Sequence, residues 1–430
     1  MQKETFMVIM NNFKQLAQEF INQIAAGDYA GASGHFDANL ARLFSEETLK
    51  AAWLQLLGQA GAFQEQTGSQ SFEKTETTVV TVTCRFEKMF IDMRVSFSSN
   101  GQISGLTYMP TPNATPYQPP AYVDSAAFHD VEITVGSGEW ALPASLSLPE
   151  GSGPFPAVIL VHGSGPQDRD ETLGPNKPFR DLAWGLASQG IAVLRYEKRT
   201  KAHAAKYTPE LIAQITVQDE VIDDALSAVR LLRGTPQVDP DHIYVLGHSM
   251  GATLAPRIGQ QDPAIAGLII MAGMTRPFED TILDQFTYLA SLSGTLSVAQ
   301  KADLEQMKVK VDRVKDLNLS AQVPAKDLPL DIHPAYWLSL RGYHPAEVAA
   351  SLNMRLFVLQ AGRDYQVTLA GDYPAWQEAL GTKPNVTLKV YPRLCHMFIA
   401  GEGPSTPQEY IVEGHVEPDV VHDVAEWIKS

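Results

Sequence analysis

The sequence is poor in cysteine and in basic residues. Its 430 residues include two cysteines, Cys84 and Cys395, which lie too far apart for a disulfide framework or for the ligand spacing of a zinc site. Lys and Arg number 33 against 49 Asp and Glu, so the formal net charge is -16. Binding to a phosphate backbone requires clustered Lys and Arg, and the sequence has no such cluster. We therefore expect no nucleic-acid partner.

Long apolar runs are also missing. No stretch approaches the roughly 20 apolar residues that a membrane helix requires. In the segment MQKETFMVIMNNFKQL, only residues 6–10 form an apolar patch and no small-residue cleavage pattern follows, unlike in a signal peptide. These absences predict a protein without a membrane span and with a cytoplasmic location. Secretion is the alternative if a leader peptide has been trimmed.

A chain of this length exceeds what a single core usually organises, which predicts two domains. Apolar residues from Phe13 to Ile24 recur at helical spacing. Between Val80 and Phe97, apolar and polar residues alternate as they do in antiparallel strands. Helices followed by such a meander predict a small α+β domain over residues 1–110.

A proline-rich segment, PTPNATPYQPP, follows this domain. Because prolines lack a backbone donor and favour extended structure, residues 111–124 are predicted to be a linker. From residue 125 to residue 430, apolar runs alternate with helical patterns, which is typical of an α/β fold with a mostly parallel sheet. The predicted strands are residues 131–135, 141–148, 157–161, 191–195, 243–247, 268–271, 355–360 and 386–391. Residues 275–350 break the alternation and are predicted to form a helical insertion that could cover a site as a cap.

The segment VLGHSMGA places Ser249 between Gly247 and Gly251, after a predicted strand and before a helical pattern. This is the pattern of a nucleophile elbow, in which glycines permit a strained turn that presents the serine at the carboxyl edge of the sheet. A serine hydroxyl becomes a good nucleophile only when a histidine takes its proton and a carboxylate orients that histidine. His248, inside the elbow, is expected to point elsewhere.

Two later loops supply the acid and the histidine. Asp364 follows the predicted strand at 355–360, and His396 follows the last predicted strand, in the chain order serine, acid, histidine that this elbow requires. Asp372 is the alternative acid. The rival histidines lie in the insertion or near the C-terminal helix; they are His333, His344, His415 and His422. We therefore predict a triad of Ser249, Asp364 and His396.

The oxyanion of the tetrahedral intermediate needs backbone N–H donors. One is expected from Met250, the residue after the nucleophile. The other is expected from the loop HGSGPQDRDE, where small residues permit a close approach; Ser164 is the first choice and Gly165 the alternative. The charged residues 168–170 of this loop either contact a polar part of the substrate or form ion pairs that rigidify the loop.

Two further groups of residues carry predictions. Tyr336 and Trp337, in the insertion, either line an acyl pocket and bind substrate or pack the insertion itself. Lys198, Arg199 and Lys201 are expected to form a solvated loop.

Six segments carry a resemblance to a known family: HGSGPQDRDE, GPNKPFRDLAWGLASQGIAVLRYEKRT, GHSMG, PAYWLSL, LQAGRDYQVT and EYIVEGHVEPDVVHDVAEWI. They resemble α/β-hydrolase carboxylesterases of the esterase D and serine-aminopeptidase-like type, over most of residues 125–430. The resemblance implies a serine hydrolase that acts on carboxylic esters with short acyl chains, with the family's triad at Ser249, Asp364 and His396. Many members of the family carry a small α+β domain in front, similar to residues 1–110.

The predicted function is the hydrolysis of a small-molecule ester through an acyl-enzyme, with no metal and no cofactor. The alternatives are an aminopeptidase or acyl-peptide hydrolase of the same fold, and a non-catalytic binding module. The first domain has the element order of a cone-shaped ketosteroid-isomerase-like fold, in which Asp28, His35 and Asp37 could line a pocket. Formation of a homodimer, or covering the mouth of the hydrolase site, is the favoured role of this domain.

Overall fold

A computed structural model of the chain describes residues 2–74, 77–98, 100–111, 117–292 and 294–430. The chain divides into two compact units, Met1–Gln118 and Pro119–Ser430. The predicted linker, residues 111–124, contains this division, and its residues 112–116 lie outside the described residues.

Within the described residues, the first unit consists of four helices followed by a four-stranded antiparallel sheet in the order β1-β2-β3-β4. The helices are α1 (Gln2–Ala25), α2 (Tyr29–Ser33), α3 (Ala38–Leu43) and α4 (Glu46–Ala60), and the strands are β1 (Phe63–Lys74), β2 (Thr77–Phe86), β3 (Phe90–Phe97) and β4 (Ile103–Pro110). The predicted α+β class of this unit is confirmed. Strand β1 was not predicted, because its sequence FQEQTGSQSFEK contains too few apolar residues to show an alternation of apolar and polar positions.

The core of the first unit lies between its helices and one face of its sheet. Val80, Val82 and Cys84 alternate inward from β2 and are fully buried, as is Phe20 of α1. An apolar cavity of about 360 Å³ lies between the helices and strands β3 and β4, with Trp53 in its wall.

Asp28, His35 and Asp37 do not line this cavity. Asp28 accepts a hydrogen bond from the N–H of Gly31 at 2.9 Å, and Asp37 accepts one from the N–H of Leu40 at 2.7 Å. Both carboxylates therefore cap the helices α2 and α3, which is the ordinary role of Asp at a helix N-terminus.

The second unit is an eight-stranded sheet in the order β12-β11-β10-β9-β7-β8-β6-β5, flanked by helices. The strands are β5 (Phe128–Val135), β6 (Leu142–Pro149), β7 (Phe155–Val161), β8 (Ala192–Tyr196), β9 (Val238–His248), β10 (Gly267–Met271), β11 (Arg355–Ala361) and β12 (Val386–Tyr391). The helices are α5 (Pro178–Ala187), α6 (Arg199–Ala202), α7 (Pro209–Ile212), α8 (Asp223–Arg233), α9 (Met250–Gln261), α10 (Phe278–Ser291), α11 (Val298–Lys315), α12 (Pro334–Leu340), α13 (Pro345–Ser351), α14 (Tyr373–Leu380) and α15 (Pro418–Lys429).

Strands β7 to β12 pair in parallel, whereas β5 and β6 are antiparallel at one edge of the sheet. Every residue of β8 and β10 is buried, as expected for strands covered on both faces. The mostly parallel α/β fold predicted from the sequence is confirmed. Because the carboxyl ends of parallel strands meet at one edge, the loops after β7, β9, β11 and β12 lie together there.

Helices α10 to α13 lie between β10 and β11, in the segment predicted to be an insertion. We call this segment the cap. A small apolar cluster packs within it, formed by Ile282, Val314, Leu319, Leu328 and Trp337. Across the described residues, none of the helices has both the length and the apolar character to span a bilayer.

Candidate active site

Ser249 lies in the sharp turn between β9 and α9. Its backbone angles, φ 54° and ψ -115°, fall in a region that non-glycine residues rarely occupy. A Cβ atom at Gly247 would lie 2.3 Å from the backbone of Gly251, and a Cβ atom at Gly251 would lie 2.2 Å from the carbonyl oxygen of Val161. Only glycine therefore fits on either side of the serine, and the turn is a nucleophile elbow.

Asp364 and His396 meet at the carboxyl ends of β11 and β12. Oδ2 of Asp364 lies 2.6 Å from Nδ1 of His396, and both side chains are buried. The second carboxylate oxygen accepts hydrogen bonds from the N–H groups of Gln366 at 2.8 Å and Val367 at 3.0 Å. Because a carboxylate only accepts, Nδ1 carries the proton and Nε2 is left with a lone pair that can take a proton.

The alternative acid has other partners. Asp372 is fully buried, and its Oδ2 accepts a hydrogen bond from the guanidinium of Arg276 at 2.9 Å. Its Oδ1 accepts one from the N–H of Thr275, also at 2.9 Å. The structure therefore brings Asp364 to His396 and uses Asp372 to hold the start of the cap.

Ser249 and His396 line one cavity of about 170 Å³. The cap contributes apolar side chains to its wall, from Phe278, Ile282 and Leu330. Among the described residues, Nε2 of His396 has no hydrogen-bond partner, so this nitrogen is available within the cavity. Apolar cover of this kind excludes water and strengthens the electrostatic interactions beneath it.

The loop after β7 brings backbone N–H groups next to the elbow, because a Cβ atom at Gly163 would lie 3.2 Å from the Cβ of Ser249. The N–H of Gly163 donates to Oε1 of Glu171 at 2.6 Å, and its carbonyl oxygen accepts from Nζ of Lys198 at 2.8 Å. Within the described part of the chain, the N–H groups of Ser164 and Met250 form no hydrogen bond. These two groups are therefore available to an oxyanion.

A second histidine–carboxylate pair, which sequence reasoning missed, lies beside the first. Nδ1 of His248 lies 2.8 Å from Oε2 of Glu171, and Nε2 lies 2.9 Å from the carbonyl oxygen of His396. The rings of the two histidines are 4.7 Å apart between centroids. The expectation that His248 points elsewhere is wrong, because it lines the same cavity as Ser249. No local pattern could have found this pair, since 77 positions separate the two residues.

Glu171 and His248 stabilise each other's charge. Burial alone would lower the pKa of His248, but the charge of Glu171 and the hydrogen bonds of the ring raise this pKa above its ordinary value. Burial alone would raise the pKa of Glu171, but the charge of His248 and the hydrogen bonds of the carboxylate lower it. Glu171 is therefore ionised in the neutral range.

We call residues 163–165, in the loop after β7, the oxyanion loop. The charged residues that follow it form ion pairs. Asp170 is buried against the guanidinium groups of Arg195 and Arg180, and its carboxylate lies 3.4 Å from Nζ of Lys177. Arg169 pairs with two glutamates. Of the two alternatives for residues 168–170, the network that rigidifies the loop matches these contacts.

The expectation of a solvated loop at Lys198 and Arg199 is wrong. Lys198 is only 2% exposed and lies 3.3 Å from Oε1 of Glu220. Arg199 forms two hydrogen bonds with the carboxylate of Asp224, at 2.6 and 2.8 Å. Lys201 is exposed, as expected. The run of basic residues in the sequence does not indicate burial, because the carboxylates that pair with Lys198 and Arg199 lie in α8 and in the turn before it.

Tyr336 and Trp337 are buried in the cap, and neither lines the cavity of Ser249. The hydroxyl of Tyr336 donates to Oε2 of Glu220 at 2.9 Å. The ring of Trp337 stacks on Phe278, with the centroids 5.4 Å apart. Both residues therefore pack the cap and its contacts, and neither reaches the cavity of Ser249.

A second cavity, of about 410 Å³, is lined in part by Ser164 and Gly165 of the loop after β7. It shares Ser164, Phe278 and Leu330 with the cavity of the nucleophile, so the two cavities are neighbours. Its wall also includes Ile215 and Tyr336. Part of a substrate that outgrows the first cavity could enter this space.

Neither cysteine offers a nucleophile or a metal ligand. Both Cys84 and Cys395 are buried and unbridged. Burial raises the pKa of the Cys395 thiol, which disfavours its reactive thiolate. The described residues contain no cluster of three or more His, Cys, Asp and Glu side chains that is arranged to hold a metal ion.

Comparison with known proteins gives the following matches. A family model described as "Serine aminopeptidase, S33" matches residues 154–403, and one described as "Protein of unknown function (DUF3887)" matches residues 17–106. Esterase EstD of Thermotoga maritima is 36% identical over 423 residues, which cover 98% of this chain and 97% of EstD. Esterase FrsA of Klebsiella pneumoniae is 24% identical over 193 residues, which cover 44% of this chain and 42% of FrsA. A solved esterase of Pyrococcus furiosus is 17% identical and covers 73% of this chain and 98% of its own, with a TM-score of 0.45.

The S33 match extends from the start of β7 to the loop after β12, so it includes the elbow and both partners of the carboxylate–histidine contact. The match to EstD runs over nearly the whole of both chains. The chain therefore belongs to the serine aminopeptidase (S33) family of α/β-hydrolases and is an enzyme of the serine hydrolase class.

Proposed function

We propose that this protein hydrolyses carboxylic esters, with Ser249 as the nucleophile, His396 as the general base and acid, and Asp364 as the residue that orients His396. The 2.6 Å contact between Asp364 and His396, a residue that lines the same cavity as Ser249, is the observation that supports this most directly. The extensive identity to esterase EstD supports an ester as the substrate.

In the first half of the reaction, Oγ of Ser249 attacks the carbonyl carbon and its proton passes to Nε2 of His396. The electron pair of the C=O bond moves to the oxygen, which accepts hydrogen bonds from the N–H groups of Ser164 and Met250. Met250 is the first residue of α9, so the positive end of the helix dipole adds to this stabilisation. The tetrahedral intermediate collapses, and the alcohol leaves with the proton from His396.

In the second half, His396 takes a proton from water, and the resulting hydroxide attacks the acyl group on Ser249. Collapse of the second tetrahedral intermediate releases the carboxylic acid and returns the proton to Oγ. In both halves, the carboxylate of Asp364 keeps the imidazole of His396 in one tautomer and stabilises the imidazolium.

Labelling with a fluorophosphonate tests the assignment of the nucleophile. We expect one covalent adduct, located by peptide mass spectrometry at Ser249, and none in Ser249→Ala. Hydrolysis of p-nitrophenyl acetate should fall by at least roughly a thousandfold in Ser249→Ala. Ser351→Ala, at an exposed position in α13, is the matched control and should retain full activity. Turnover retained in Ser249→Ala would reject the proposed nucleophile.

We further propose a preference for short acyl chains. The cavity of the nucleophile, at about 170 Å³, is smaller than the roughly 300–1,000 Å³ of typical small-molecule sites. A series of p-nitrophenyl esters from acetate to decanoate should therefore show the highest kcat/KM among its shortest members. A maximum at the longest chains would contradict the preference without affecting the assignment of Ser249.

The description of the matched family favours an aminopeptidase as the second candidate function. Comparing p-nitrophenyl esters with aminoacyl p-nitroanilides separates the two, because a peptidase must also recognise the substrate's amine. A non-catalytic binding module would hydrolyse neither. A cytoplasmic location and a homodimer formed through the first unit stay predictions, which cell fractionation and light scattering can check.

A further inference from the structure

The two ring nitrogens of His248 both face oxygen atoms, one of the carboxyl group of Glu171 and one of a backbone carbonyl. Nδ1 faces a carboxylate oxygen of Glu171 at 2.8 Å, and Nε2 faces the backbone carbonyl oxygen of His396 at 2.9 Å. A neutral imidazole has one donor and one acceptor nitrogen, so it can donate to only one of these two oxygens. When Glu171 is ionised, both contacts are satisfied only if both nitrogens carry a proton, that is, if the ring is an imidazolium.

A protonated Glu171 that donates to a neutral His248 would satisfy the same contacts, because the other oxygen of a protonated carboxyl group can still accept a hydrogen bond. The N–H of Gly163, which donates to Oε1 of Glu171 at 2.6 Å, favours the ionised carboxylate, and an imidazole binds a proton more strongly than a carboxylate does. The proton between the two groups therefore belongs to His248, and the lowered pKa of Glu171 agrees with this assignment. Two neighbouring groups also favour the imidazolium of His248. Asp364 adds a second negative charge near the ring. Burial lowers the pKa of His162 to about 4, so this ring stays neutral and adds no positive charge.

The pair also joins the parts of the active site. Glu171 binds the N–H of Gly163, in the oxyanion loop, while His248 is the residue before the nucleophile on β9. The other nitrogen of His248 binds the backbone of His396. Loops after three separate strands are thus connected through two side chains. Lys198, whose Nζ binds the carbonyl oxygen of Gly163, holds the same loop from another side and is itself paired with a glutamate.

We propose that His248 is a positioning residue that acts as a buried imidazolium, holding the loop of His396 through one nitrogen and the oxyanion loop, by way of Glu171, through the other. Charge-assisted hydrogen bonds are roughly twice as strong as neutral ones, and such bonds fix a geometry in which a displacement of about 1 Å can cost a hundredfold in rate. The kinetic part of this inference rests on the proposed role of His396, whereas the charge state of His248 does not.

The charge state is measured by NMR of protein labelled with ¹⁵N-histidine, at about pH 8, where an ordinary imidazole is neutral. We expect a doubly protonated histidine whose ring signals disappear in His248→Gln and persist in His415→Gln. The same signals should persist in Ser249→Ala, so this result stands even if the proposed reaction is wrong. A single neutral tautomer for His248 would overturn the inference.

Two substitutions at Glu171 separate the charge from the hydrogen bonds. In Glu171→Gln, the amide oxygen can still accept from Gly163 and the amide N–H can donate to Nδ1 of His248, so both links persist without charge. In Glu171→Ala, both links are lost. We expect Glu171→Ala to lower kcat roughly tenfold to a hundredfold with KM changed less than about threefold, and Glu171→Gln to recover most of kcat.

His248 should lose its second proton at about pH 8 in the glutamine variant, because its counter-ion is gone. His415→Gln is the matched control: Nδ1 of His415 lies 3.1 Å from Asp181, a histidine–carboxylate contact outside the lining of the catalytic cavity. We expect its kcat to be unchanged. Wild-type kcat in Glu171→Ala, a loss confined to KM, or a doubly protonated His248 in Glu171→Gln would each overturn the proposal.

Discussion

The first unit contains a cavity of about 360 Å³, and the second holds one of about 170 Å³ beside Ser249. The larger cavity is lined mainly by aliphatic and aromatic side chains of α1, α4, β3 and β4. The smaller one combines Ser249, His396, His248 and Glu171 with the oxyanion loop. The volume of a cavity therefore does not show where the catalytic groups lie. Catalysis requires hydrogen-bond donors, acceptors and titratable groups that lie close together. The loops at the carboxyl edge of a parallel sheet bring such groups together.

The largest expected effect in the smaller cavity is that of Asp364→Asn. The amide keeps the shape of the side chain, but it no longer requires a proton on Nδ1 of His396, so the imidazole can adopt the wrong tautomer. We expect kcat for a p-nitrophenyl ester to fall roughly a thousandfold to ten-thousandfold. Asp372→Asn is the control and should retain most of kcat, because Asp372 binds Arg276 instead. Equal losses in the two variants would contradict the assignment.

The second prediction concerns the cavity of the first unit. Trp53→Ala removes a side chain that is 4% exposed and should lower the free energy of unfolding of the first unit by about 3–5 kcal/mol, without altering kcat of the enzyme that remains folded. Urea denaturation followed by circular dichroism, together with ester hydrolysis, measures both quantities. Leu54→Ala, at a neighbouring position that is 52% exposed, should change neither by much. A large fall in kcat at unchanged stability would show that the first cavity has a part in catalysis.

A third prediction tests whether the acyl chain of a substrate enters the second cavity, of about 410 Å³. Ile215→Trp fills part of the second cavity and should lower kcat/KM for octanoate esters roughly tenfold relative to acetate esters. Leu211→Trp, at a position that is 45% exposed and outside the lining, provides a bulky control. If both variants keep the wild-type ratio of octanoate to acetate hydrolysis, the acyl chain does not enter this cavity.

The smallest expected effect concerns a polar contact outside both cavities. The hydrogen bond to Asp181 raises the pKa of His415 against the opposing effect of burial. The pair therefore stabilises the fold fully below the ordinary histidine pKa of about 6.5, and this contribution is lost as the pH rises through the raised pKa. We expect less than about 1 kcal/mol, because the ring is partly exposed. The difference in unfolding free energy between wild type and His415→Gln should shrink between about pH 5.5 and pH 9; a constant difference would contradict it.

Much of the second unit could be predicted because its signals are local. Continuous apolar runs predict buried strands wherever both faces are covered, and the glycines around Ser249 predict the turn, since their missing Cβ atoms are what the turn requires. Chain order then directed attention to Asp364 and His396, which the structure brings within 2.6 Å. The first unit was harder, because β1 lies at an edge of its sheet and carries mostly polar letters.

The α/β class, the elbow and the loops that carry Asp364 and His396 could be predicted from the chain alone, because each depends on neighbouring residues or on strand order. Which charges are buried and paired depends on contacts between distant parts of the chain. Lys198 reads as a solvated lysine until the fold sets it against Gly163 and Glu220, and Glu171 gains a partner only when β9 is packed beside the loop after β7. Ion pairs and hydrogen bonds between residues so far apart in the chain produce no periodic pattern in the sequence. They depend on where the sheet places each loop and not on the neighbouring residues in the chain.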